Sequence, residues 1–160
     1  LHPKNKPKIV IIGIGNLLYS DERIGVHVVN ELKGKTLPSN VKVFDCGTNG
    51  IAVLEAMDGA EKAIIVDAVS SGKEPGTIHI YTVEELAKMD GRLFKLVSLH
   101  QFDLIAALEL ARITNAYKIP TKIVIIGVEA KSLKYSMELS DEVKKAIPKV
   151  IKTIIKEIKS

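Results

Sequence analysis

Apolar positions along the chain follow two rhythms. Short runs that are apolar at nearly every place, such as Ile9-Val10-Ile11-Ile12 and Ala63-Ile64-Ile65-Val66, alternate with longer stretches of three-to-four-residue spacing. The first rhythm is that of strands buried on both faces, and the second is that of amphipathic helices. Strands are predicted near 8–13, 41–45, 62–67, 77–82 and 121–128, and helices near 22–34, 50–57, 83–89, 101–113 and 139–158. Strict alternation of the two kinds predicts an α/β fold, a three-layer α/β/α sandwich around a mostly parallel sheet of about five strands. The run Thr77-Ile78-His79-Ile80-Tyr81-Thr82 alternates polar with apolar, as an edge strand does. The turn-rich Gly72-Lys73-Glu74-Pro75-Gly76 before it is too short for a crossover helix, so this strand is predicted antiparallel to its neighbour. No repeat, linker or low-complexity stretch interrupts the pattern, and residues 1–160 read as one domain.

Composition narrows the function. Hydrophobic residues make up 46% of the chain, enough for a real core and against disorder. The net charge is +4, but aromatics are only 4% and Trp is absent, which does not suit a nucleic-acid groove. The densest lysines, Lys145, Lys149, Lys152, Lys156 and Lys159, recur at helical spacing opposite the stripe Ala146, Val150, Ile151, Ile154, Ile155 and Ile158. They read as the solvated face of one helix. Cys46 is the single cysteine, which excludes an intrachain disulfide and fits a reducing cytosol. The apolar runs are far shorter than a membrane span, and the start lacks a signal-peptide core, so a cytoplasmic protein without membrane insertion is expected. High Lys, Ile and Glu with a single Gln suggests a thermophile.

The candidate chemistry lies at strand ends. Gly13-Ile14-Gly15-Asn16-Leu17-Leu18-Tyr19-Ser20-Asp21-Glu22 is a glycine turn followed by a polar loop that presents two acids at a helix start. Helix dipole and capping alone favour acids there, with Ser20 or Asp21 as cap. One of Asp21 and Glu22 can cap while the other faces a cleft. Asp67 closes a buried apolar strand, where a carboxylate must be solvated, hydrogen-bonded or metal-bound. Carboxyl ends of strands in open α/β sheets face the binding crevice. Ser98-Leu99-His100-Gln101 reads as a capping box, which puts His100 in a first helical turn, where the dipole disfavours the imidazolium. Two carboxylates and a neutral imidazole on one rim would suit a borderline divalent metal. Glu129 ends the last strand and is a cleft candidate by topology. His2, His27 and His79 read as structural or surface residues.

Several familiar motifs are absent. Gly13-x-Gly15 lacks the third glycine of a dinucleotide fingerprint, since position 18 is Leu. Gly34-Lys35-Thr36 follows a helix where a phosphate loop needs a strand, and Val29 stands where its first glycine belongs. There is no Gly-x-Ser-x-Gly elbow. Cys46 has no evident acid–base partner and reads as a small buried thiol.

Four segments occur in one order: Gly-x-Gly-Asn-x-Leu-x-x-Asp-Glu-x-x-Gly from Gly13, Asp45-Cys46-Gly47-Thr48, Ile65-Val66-Asp67-Ala68 and Ser98-Leu99-His100-Gln101. Together they resemble the hydrogenase maturation endopeptidases, from about Lys8 to the final helix. The resemblance implies an endopeptidase that trims a C-terminal extension from the large-subunit precursor of a nickel–iron hydrogenase. It also implies that Glu22, Asp67 and His100 are the catalytic, metal-contacting residues. The ion recognised would be nickel carried by the substrate, so no resident metal is required of the isolated chain. Asp45, Gly47, Thr48 and Asn16 would shape the substrate cleft. Whether the metal polarises the scissile carbonyl, activates water or serves only for recognition stays open at this level. So does a non-catalytic nickel-checking or chaperone module. A monomer is the favoured state.

Overall fold

The computed structural model describes residues 8–89, 95–97 and 103–160. Its centre is three strands, β1 (Ile9–Ile14), β3 (Lys62–Ser70) and β6 (Lys122–Glu129), whose apolar residues are buried on both faces. With β2 (Val41–Gly47) and β4 (Ile78–Thr82) they form a sheet in the order β2-β1-β3-β6-β4. The pairs β1–β2, β1–β3 and β3–β6 are parallel. β4 lies at the edge, antiparallel to β6, as its alternating pattern and short entry turn predict. A two-residue strand, β5 (Lys95–Leu96), pairs antiparallel with the end of β3 and was not expected. It forms because β3 runs on to Ser70, beyond the end of its pairing with β1, and exposes ladder groups there.

Helices cover both faces. α1 (Ile24–Lys33) and α5 (Asp141–Lys159) bury Ile24, Val28, Val29, Leu32, Val143, Val150 and Ile154 against one face. α2 (Gly50–Met57) and α4 (Leu104–Thr114) bury Val53, Leu54, Met57, Leu104 and Leu108 on the other. Each such side chain contributes about 1.5–3 kcal/mol relative to exposure, which makes these two faces the main source of stability. The α5 lysines at 145, 149, 152, 156 and 159 are all exposed, as a solvated helix face requires. α3 (Val83–Ala87) follows β4 through a capping box of Thr82 and Glu85.

Two boundaries depart from the pattern. α4 starts at Leu104, three residues later than the spacing predicts, with Asp103 as its cap, accepting from the Ala106 amide at 3.0 Å; the Ser98 capping box lies outside the described residues. Asp103 is a good cap placed close to the apolar repeat, so it sets the start. The segment before α1 is a 3-10 turn, Ser20–Arg23, with no side-chain cap at all.

The strand order places the site. The connection from β1 runs to β2 on one side, and that from β2 returns to β3 on the other. Chain leaving β1 and β3 therefore parts in opposite directions, and the carboxyl ends of these two strands form the crevice of the sheet.

Candidate active site

Three glycines let the Glu22 turn settle onto that crevice. A Cβ on Gly25 would fall 2.2 Å from the carbonyl oxygens of both Ile14 and Val66. One on Gly15 would fall 2.2 Å from the Glu22 carbonyl, and one on Gly13 would fall 2.4 Å from the Gly25 carbonyl. No side chain fits at these contacts, so the glycines bring the first turn of α1 onto the end of β1 and onto β3 at Val66, where its pairing with β1 ends. Glu22, half-buried, rides on the 3-10 turn that packs against β3.

Asp21 does not cap the helix that follows it. Its carboxylate is fully buried and accepts four hydrogen bonds from a distant loop. Oδ2 accepts from the amides of Lys131 and Ser132 at 2.8 and 2.9 Å and from the Ser140 hydroxyl at 2.9 Å. Oδ1 accepts from the Ser140 amide at 2.8 Å. Buried backbone N–H groups must be satisfied, and those of this loop claim the carboxylate ahead of the local helix start. The neighbouring Ser20 has φ +46, in the left-handed region. Its amide donates to Ser136 O at 2.8 Å and its hydroxyl to Glu138 O at 2.8 Å, which holds the strained residue in place. Arg23 donates from Nη1 to the Met137 carbonyl.

Asp67 lies inside β3, three residues before its end, where the sequence places it at the strand terminus. It is fully buried, and its Oδ1 accepts from the Ala68 amide at 2.7 Å. Strand alternation puts Asp67 on the α2/α4 side of the sheet with Ala63 and Ile65. Its partner in β6 is Gly127, where a Cβ would fall 2.4 Å from Val69 Cγ1. Gly127 also pairs with His79 of β4. His79 was read as structural or surface; its Nε2 lies 3.1 Å from Oε1 of Glu129, and its ring stacks on Tyr81. Glu129 is buried too, and accepts from the Ser71 amide at 2.9 Å and the Ser71 hydroxyl at 2.5 Å. Those partners account for its burial as a structural acid, against the cleft position considered from topology.

Asn16, Asp45, Gly47 and Thr48 line one cleft with Gly15, Leu17 and Val26, of about 310 Å³. The Asn16 Oδ1 accepts from the Leu18 amide at 3.0 Å, and Asp45 Oδ1 from the Gly47 amide at 3.0 Å, so each side chain shapes its own turn. Gly47 has φ +54, and its carbonyl accepts from the Gly15 amide at 2.9 Å, joining the two loops. Asn49 caps α2, accepting from the amides of Ile51 and Ala52. Burial, and secondarily the nearby Asp45 charge, push the Cys46 thiol up to about 11. It stays protonated at neutral pH and is no nucleophile.

His100, the third expected ligand, lies outside the described residues. Among the described residues no three His, Cys, Asp or Glu side chains gather as a metal site. Sequence reasoning missed the role of Asp21 and of the 131–140 loop. The serines at 132 and 140 carry no periodic or motif signal that would have pointed to it.

A glycine-cushioned acidic turn and an open cleft lie together at the carboxyl end of the central strands of an α/β/α sheet. Comparison with known proteins makes the class particular. The family model described as HycI hydrogenase maturation protease matches residues 26–157. The hydrogenase expression/formation protein HupD of Rhizobium leguminosarum is 32% identical over 100% of this chain and 78% of its own length. A putative hydrogenase maturation protease of Methanocaldococcus jannaschii is 35% identical over 96% of this chain and 98% of its own length. The solved hydrogenase maturating endopeptidase HybD of Escherichia coli superposes with a TM-score of 0.80 at 30% identity, covering 95% of this chain and 92% of that one. The chain belongs to the hydrogenase maturation protease family, whose members are endopeptidases that process the C-terminus of the hydrogenase large subunit.

Proposed function

We propose that this chain removes the C-terminal extension of a hydrogenase large-subunit precursor that already carries nickel, and that Glu22 and Asp67 contact that nickel. The observation that carries the reading is the close approach of Gly25 to the carbonyls of Ile14 and Val66. It brings the turn bearing Glu22 onto the end of β1 and onto Val66 of β3, the residue before Asp67. Carboxylate oxygens suit a borderline ion that reaches the site with open coordination positions. A metal so held can polarise a scissile carbonyl or activate a water. The tail of the precursor would run through the cleft lined by Asn16, Asp45, Gly47 and Thr48. His100 is the third contact in this reading. The non-catalytic checking module is set aside because the family's members are endopeptidases.

The test is a processing assay on nickel-loaded precursor, with tail removal read by mass. Glu22→Gln and Asp67→Asn keep size and remove charge, so both should stop processing while melting near the wild type. Wild-type turnover by either folded variant would remove that residue from the site.

A further inference from the structure

The acid before Glu22 is heavily bonded. Asp21 is fully buried and takes four donors from Lys131, Ser132 and Ser140. Its own amide donates back to the Ser132 carbonyl at 3.0 Å. Next to it, Ser20 N–H donates to Ser136 O at 2.8 Å and Ser136 N–H donates to Leu18 O at 2.9 Å, a parallel bridge between Tyr19 and Ser136. The loop is in turn anchored at both ends, to β3 through the Ala130 amide on Val69 O and to α5 through Ser140, its cap. On the opposite side the turn rests on Gly15, whose absent Cβ leaves room for the Glu22 carbonyl. The Glu22 backbone is therefore clamped between the sheet and the 131–140 loop, and Asp21 is the charge that closes the clamp.

We propose that Asp21 is a positioning residue for the cleavage reaction: by binding the Lys131, Ser132 and Ser140 donors it fixes the 3-10 turn and so aims Glu22 at the strand ends. The inference rests on the assignment of Glu22 to the site. A buried carboxylate with four donors is rigid, because every alternative leaves backbone amides unsatisfied. Small displacements of a reacting group have large effects on rate, whereas docking of a whole precursor over a wide surface is far less sensitive to them. Asp21 should therefore act on kcat and leave KM nearly unchanged; because a smaller folded fraction also lowers apparent kcat, kcat is taken per folded molecule, at a temperature where melting shows each variant fully folded.

The experiment measures kcat and KM on nickel-loaded precursor for Asp21→Asn, Ser140→Ala and Glu22→Gln, with thermal melting of each. Asn in place of Asp21 presents one amide group where an acceptor is needed and removes the charge. A folded Asp21→Asn should lose at least about tenfold in kcat with KM within about threefold. Ser140→Ala keeps the backbone donors and loses the hydroxyl, and should lower kcat by about threefold. Wild-type kcat in folded Asp21→Asn, or a change confined to KM, overturns the proposal. If Asp21→Asn fails to fold, Ser140→Ala decides, and an unchanged kcat there overturns it. Glu22→Gln separates the two assignments. Its inactivity beside an unimpaired Asp21→Asn sinks only the positioning role, whereas its full activity sinks the Glu22 assignment as well.

Discussion

At the scale of single residues, the two acids of the Asp21-Glu22 pair have different work, and the sequence shows both acids but not the division. Their neighbourhood in the chain is symmetrical; what separates them is a loop 110 residues away whose amides need an acceptor. No local rule can announce such a partner. Asp67 was legible because a carboxylate in an apolar strand always demands a reason. Its depth was less so: it lies within β3, since the strand continues to Ser70. Cys46 permits a clean chemical prediction. With its thiol pushed up to about 11 by burial, alkylation of the native protein should be slow at pH 8 and should accelerate with each pH unit up to that value. The folded group holds its proton through a range where the unfolded thiol, near 9.0, has released it. That contribution to stability is present below pH 9 and is lost as pH rises from there through about 11. Cys46→Ala should process precursor at a rate near the wild type. Rapid labelling at pH 7, or an inactive but folded Cys46→Ala, would contradict the reading of a passive thiol.

At the scale of elements, the apolar runs and turn residues recover all five main strands and the order of the helices, because two-sided burial and amphipathicity leave direct traces. β5 left none: it is two residues long and owes its pairing to the overhang of β3. α4 begins three residues later than the spacing predicts because Asp103 caps it just ahead of the buried Leu104 and Leu108. The glycines provide the element-scale test. Gly25→Ala puts a methyl onto two carbonyl oxygens, and should lower stability by about 1–3 kcal/mol, the usual range for overpacking. It should also lower processing, because α1 must lift from the strand ends and take Glu22 with it. Gly34 at the other end of α1 is the control. A Cβ there meets only the Glu31 carbonyl at 3.4 Å, in ordinary helical geometry. Gly34→Ala should be neutral or stabilise by about 0.4–1 kcal/mol, with processing unchanged. Urea unfolding of both variants beside the processing assay checks the pair; equal behaviour of the two would remove the packing role given to Gly25.

For the whole molecule, the fold provides an open rim and no enclosed metal chamber among the described residues. Two carboxylates and one imidazole have little intrinsic preference among nickel, zinc and cadmium. Free Ni²⁺ and Zn²⁺ should then bind weakly in a calorimetric titration, and tight stoichiometric zinc would speak for a resident-metal protease. In the proposed reading discrimination comes from the substrate, which would present nickel already held by its own ligands. The family and its reaction were legible in four ordered segments, because glycines at close contacts and acids at strand ends are both demanded by the geometry they serve. The central claim is that the metal arrives with the precursor. The most direct measurement incubates the purified protein with nickel-loaded and with nickel-free precursor, side by side, and reads the mass of each large subunit. The account predicts loss of the C-terminal extension from the nickel-loaded form alone. Equal trimming of the nickel-free form would contradict it.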